Sequence, residues 1–143
     1  MTLSAAPLPI IVDASVAVGS VTGEQPAIAA MQAWAASTAL LLAPPLFWSE
    51  TANALIRGQR IRSIEVAAIL RALRRTRIEV ADRGAEGLEA ALVLAERHGL
   101  SVYDATYLWL AIDVDGELAT FDRALAKAAE AEGVPLSIEL PGA

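Results

Sequence analysis

Two rhythms of apolar and polar positions alternate along the chain. Short unbroken apolar runs read as buried strands at residues 9–12 (Pro9-Ile10-Ile11-Val12), rich in branched residues, and 40–43, and shorter strands are expected at 78–80 and 118–120. A final strand is expected over 134–140, weakened by Pro135 at its start. Between these runs the spacing turns helical. Ile28, Met31 and Ala35 mark a helix over 26–37, and Pro44-Pro45 breaks the chain before another over 46–57, with Gly58 as its stop. Ser63 is expected to cap a helix over 63–75 whose inner face takes Ile64, Ala67, Ala68 and Leu73 or Leu70. Further helices are expected over 86–98, closed by Gly99, over 101–112, opened by Ser101, and over 123–132, stopped at Gly133. Strands alternating with helices predict an α/β fold, a mostly parallel sheet covered by helices on both sides.

Composition narrows the chemistry. At 143 residues and 55% hydrophobic, the chain has the size and apolar content of a single domain over 1–143. It has no cysteine and one histidine, which excludes disulfides, thiolate zinc sites, cysteine nucleophiles and clusters of two or more imidazoles. Any chemistry must run on carboxylates, hydroxyls or arginines. The longest apolar run, residues 39–48, contains two prolines and is far shorter than the roughly 18–20 residues a membrane span needs. The amino terminus lacks a basic stretch and Asp13 interrupts the apolar residues after it, so no secretory signal and no membrane association are expected and the cytoplasm is the expected compartment.

The formal net charge of −6 argues at first against a nucleic-acid partner, but the charge is segregated. Residues 57–77 carry Arg57, Arg60, Arg62, Arg71, Arg74, Arg75 and Arg77 against Glu65 alone, a net of +6. The remainder sets four bases against sixteen acids, a net of −12. This is either a solvated arginine-rich helix pair or a phosphate-binding flank beside an acidic region.

Parallel sheets place ligand sites beyond the carboxyl ends of their strands, where Asp13 and Asp122 fall. Glu50 and Asp104 lie on helices in apolar surroundings, where an ionised carboxylate must be exposed, paired, protonated or gathered around a cation. With histidine and cysteine unavailable, a hard divalent metal suits the set. Each acid also has a local role open to it: Asp13 as a turn or helix cap, Glu50 as a first-turn acid, Asp104 in the near capping box Ser101-x-x-Asp104, and Asp122 as the cap of the last helix. Asp113-Val114-Asp115-Gly116 reads as a solvent-facing turn, His98 as support for a helix end, and Trp34, Trp48 and Trp109 as core or interface anchors.

Taken together, Ile11-Val12-Asp13-Ala14-Ser15-Val16, Ser49-Glu50-Thr51-Ala52-Asn53-Ala54-Leu55, Tyr103-Asp104-Ala105-Thr106-Tyr107 and Ala119-Thr120-Phe121-Asp122-Arg123-Ala124-Leu125 resemble the PIN-domain ribonucleases, and among them the VapC toxins of toxin-antitoxin modules. The resemblance covers nearly the whole chain. It implies a three-layer α/β/α sandwich with a central, mostly parallel sheet, in which Asp13, Glu50, Asp104 and Asp122 meet and bind one or two Mg²⁺ or Mn²⁺ ions. Asp13 and Asp104 would be the firmest ligands, with Glu50 and Asp122 binding directly or through water. Ser15 and Thr120 match accessory hydroxyl positions, and Asn53 would share the helix face of Glu50. The implied activity is metal-dependent hydrolysis of RNA phosphodiester bonds, with Arg57, Arg60, Arg62, Arg71, Arg74 and Arg75 as candidates for gripping RNA. The implied partners are a cognate VapB-like antitoxin and a second copy of the chain in a homodimer. The competing readings are an inactive PIN scaffold for protein or RNA binding, a DNA-directed nuclease of the same fold, and, with no suitable lysine to support it, aspartyl-phosphate transfer.

Overall fold

A computed structural model describes residues 8–138 of the chain. Four strands, β1 (Pro9–Val12), β2 (Leu40–Ala43), β3 (Glu79–Val80) and β4 (Glu117–Ala119), form one sheet in the order β3-β2-β1-β4. Every pairing is parallel, with Ile11 opposite Leu42 on one side and Leu118 on the other. The branched runs lie in the middle of this sheet because a strand covered on both faces buries every side chain; Ile11, Val12 and Leu118 are fully enclosed. The parallel arrangement also brings all four strand ends to one edge.

Seven α-helices surround the sheet among the described residues: α1 (Ala14–Thr22), α2 (Gln25–Ala35), α3 (Leu46–Asn53), α4 (Ser63–Arg74), α5 (Gly84–His98), α6 (Val102–Asp113) and α7 (Arg123–Ala131). The layers form the α/β/α sandwich expected. Phe47, Leu73, Ala91, Leu94, Tyr107, Leu108, Leu110 and Leu125 carry the helices into one continuous core with the strands. Gly116 shows how tightly the layers meet, since a Cβ there would come within 2.5 Å of the Pro9 carbonyl oxygen as the chain enters β4. That residue is enclosed, so the Asp113–Gly116 turn faces solvent only in part, and Asp113 pairs with Arg83 at 2.7 Å.

Several local expectations are corrected. The helix over 46–57 ends its α-form at Asn53 and continues as a π-helical turn, Ala54–Gly58, so Gly58 closes the wider turn and not an α-helix. Ser63 is the first residue of α4; Arg62 occupies the cap position and makes no side-chain cap bond. The inner face of α4 is Val66, Ile69, Leu70 and Leu73, while Ile64 is 72% exposed. The physical reason lies in the stripes: 66-69-70-73 is apolar throughout, whereas 64-67-68 runs into Arg71. Asp13 stands at the cap position of α1 but makes no cap bond, and Glu50 lies beyond the first turn of α3. The final strand is reduced to one parallel bridge between Leu136 and Leu118, and residues 139–140 of the expected run lie outside the described residues.

Candidate active site

The carboxyl edge of the sheet collects side chains from four separated segments. Asp13 leaves the end of β1 and its backbone N–H donates to Ala119 O at 2.9 Å, extending the β1–β4 ladder by one residue and setting Asp13 beside Thr120. Its carboxylate is 3% exposed. Two hydroxyls converge on Oδ2, Ser15 Oγ at 2.6 Å and Thr120 Oγ1 at 2.8 Å. Each hydroxyl also accepts a backbone N–H, Ser15 from Phe121 and Thr120 from Asp122, both at 3.0 Å. A hydroxyl that accepts on one side directs its proton to the other, so both are held as donors toward Asp13. Burial pushes the Asp13 carboxyl up, the two hydroxyls oppose it, and the charge of Asp122 adds to the rise.

Asp122 also caps α7, its Oδ1 accepting from Leu125 N at 3.0 Å. Thus the local reading of this residue, as the cap of the last helix, holds. Ser101 caps α6 by accepting from Asp104 N at 3.0 Å. The Asp104 carboxyl is raised by burial and then by the charges of Asp122 and Asp13, with a hydrogen bond to Ser101 opposing them. Glu50 arrives from α3, half-buried, and its carboxyl is pushed up to about 7, first by burial and then by Asp13. Tyr107 opposes that shift by donating from its hydroxyl to Glu50 Oε1 at 3.2 Å, and the Asp104 charge adds a smaller rise.

The four predicted acids therefore stand within one another's fields, as Asp13 and Asp122 both act on Asp104 and Asp13 and Asp104 both act on Glu50. Ser15 and Thr120 are brought to Asp13, while Asn53 ends α3 exposed and makes no hydrogen bond with the acids among the described residues. Arg57, Arg60, Arg62, Arg71, Arg74 and Arg75 are all exposed, and none forms an ion pair with the four acids. Arg74 lies over the ring of Trp48, 5.9 Å from its centre. The one histidine, His98, the last residue of α5, pairs with Glu132, the residue that follows α7, at 2.7 Å.

A donor set made of carboxylate and hydroxyl oxygens, in which Asp13, Glu50 and Asp104 are raised, suits a hard divalent cation. As the side chains stand, no three acids or histidines among the described residues are arranged to hold one ion. Tyr107 is the site residue that the sequence reading did not single out. Its signal was there in the spacing, three residues after Asp104 on the same helix face.

Fold and site together define an α/β domain with electrostatically coupled carboxylates at the carboxyl edge of a parallel sheet. A profile of the PIN domain matches residues 10–131, and the chain belongs to that family. Ribonuclease VapC3 of Pyrobaculum aerophilum is 51% identical over 43 residues, which is 30% of this chain and 33% of that protein, so the match spans about a third of the relative's length. Among solved structures, PAE2754 from Pyrobaculum aerophilum superposes with a TM-score of 0.63 at 25% identity, covering 86% of this chain and 87% of the other. VapC20 of Mycobacterium tuberculosis, a toxin that cleaves the sarcin-ricin loop, superposes with a TM-score of 0.65 at 23% identity, covering 83% and 94%. No helix among the described residues is long and apolar enough to cross a membrane.

Proposed function

We propose that this chain is a divalent-metal-dependent endoribonuclease acting as the toxin of a VapBC-type module in the cytoplasm. The observation that carries the reading is the electrostatic coupling of Asp13, Glu50, Asp104 and Asp122, drawn from four segments to one sheet edge. Such closeness of like charges is unfavourable unless a cation or a proton compensates it, and this is the cost that a catalytic metal site accepts. Membership of the PIN domain family and the local likeness to Ribonuclease VapC3 support the same activity.

In this reading Asp13 and Asp104 hold Mg²⁺ or Mn²⁺, with Glu50 and Asp122 completing the set. A bound ion would lower the pKa of a water and screen the charge of the phosphodiester. The chain's own part is positional. Ser15 and Thr120 lock Asp13 in one orientation, Asp122 is anchored through its cap bond to Leu125, and Ser101 sets the first turn of α6 from which Asp104 projects. The exposed arginines of α4 and the turns beside it would take the RNA backbone on the flank of the acids. A VapB-like antitoxin and a homodimer belong to the same proposal.

The purified chain is expected to cleave RNA with Mg²⁺ or Mn²⁺, to stop when EDTA removes the metal, and to lose at least a hundredfold in rate in Asp13→Ala or Asp104→Ala with the circular dichroism spectrum intact. Retained metal-dependent cleavage in both variants would overturn the site. One observation favours a second reading, a PIN scaffold without catalysis: among the described residues no three acids are set around a single ion position as they stand. No cleavage of RNA at any Mg²⁺ or Mn²⁺ concentration would select that reading, and preferential cleavage of single-stranded DNA would select a DNA-directed nuclease.

A further inference from the structure

Tyr107 is completely buried, and its ring belongs to the apolar core that α6 builds against the sheet. Most of the other large, fully buried side chains in that core are hydrocarbon, Phe47, Leu108 and Leu110 among them. A phenol hydroxyl in that setting costs free energy unless it is fully partnered, so the partners tell what the hydroxyl is for. Its proton goes to Glu50 Oε1, a residue 57 positions away on α3. The Asp13 charge, at the end of β1 just before α1, acts on the same hydroxyl.

The hydroxyl therefore sits where three acid-bearing segments meet: α1 after Asp13, α3 with Glu50, and α6, on which Asp104 lies one turn before Tyr107. The bond from Tyr107 engages one oxygen of Glu50.

We infer that Tyr107 is a positioning residue of the acid site, one whose hydroxyl restrains Glu50, a group that would help hold a divalent cation. This inference rests on the metal-site reading above. Partners of metal-binding side chains typically change affinity or activity 10- to 100-fold when removed, which sets the size of the expected effect. The phenol ring has a separate job in the core, so Tyr107→Phe keeps the packing and removes only the hydroxyl.

The test is direct Mn²⁺ binding to the full chain, followed by electron paramagnetic resonance and calorimetry, beside RNA cleavage as a function of Mn²⁺ concentration. Tyr107→Phe is expected to weaken Mn²⁺ binding at least tenfold and to recover much of its cleavage when Mn²⁺ is raised. In the Glu50→Ala background the same substitution is expected to change Mn²⁺ affinity less than twofold, since the group through which it acts is gone. Unchanged affinity in Tyr107→Phe, or an equal loss in both backgrounds, would overturn the inference. A loss of activity that tracks a lowered melting temperature with unaltered Mn²⁺ binding would also overturn it, because that is the behaviour of a merely structural hydroxyl. Asp13→Asn is the control for the underlying reading. If it too binds Mn²⁺ as the parent does, the metal site itself is misplaced, a result distinguishable from failure of Tyr107 alone.

Discussion

Burial drives the Asp13 carboxyl upward, while Ser15 and Thr120 on the same oxygen draw it back. Glu50 has a weaker restraint, the single hydroxyl of Tyr107, and is pushed from 4.5 to about 7. A folded-state value above the unfolded one means that the native chain holds this proton more tightly. Its contribution to stability is complete below about pH 4.5 and is lost as the pH rises through 7. With EDTA present, urea unfolding is therefore expected to show Glu50→Gln gaining on the parent by about 1–2 kcal/mol between pH 5 and pH 8, less than the full shift would give because the group is only half-buried. Mg²⁺ is expected to restore the parent more at pH 8 than at pH 5. Parallel pH profiles for the two proteins would contradict this account of Glu50. The acids themselves were readable in the sequence because each sits in a recognisable local run. The bond between Tyr107 and Glu50 was not, since a pairing across 57 residues leaves no trace in local spacing.

Elements were legible where a backbone signal and an apolar stripe agreed. The start of α6 at Ser101 and the end of α5 at Gly99 are such cases. Gly99 adopts φ of 65°, a left-handed conformation that an L side chain enters at a cost, and no atom lies within 4 Å of a Cβ built there. Gly99→Ala is thus expected to lose about 1 kcal/mol by urea unfolding through backbone conformation alone, with an unchanged m-value and Mn²⁺ affinity. A loss well below a few tenths of a kcal/mol would show that α5 does not depend on this stop. The inner face of α4 was read only in part, with Leu73 and Leu70 inside as expected and Ile64 exposed, because two overlapping stripes were both partly apolar and only docking on the core selects Val66 and Ile69 over Ile64. The π-helical turn after Asn53 had no signal at all in residue type.

At the scale of the whole molecule, an acidic pocket and an arginine-rich flank share a chain of net charge −6. If the flank takes RNA phosphates, replacing Arg71 and Arg75 by glutamine in an Asp13→Ala background should weaken single-stranded RNA binding, with the slope of log affinity against log salt falling by about 0.7 for each lost contact. The unfolding midpoint should hold, as both side chains are exposed. An unaltered salt slope would remove the flank from the substrate path. The sequence by itself determined the α/β alternation, the buried parallel strands and the position of Asp13 at the end of one of them, because strand burial and strand-end placement are written in runs of adjacent residues. Tertiary structure alone decided which faces dock, how Leu136 joins the sheet edge, and which hydroxyl reaches which carboxylate oxygen. Those outcomes depend on distances between segments remote in the chain, and such distances are set by the packing of the assembled core.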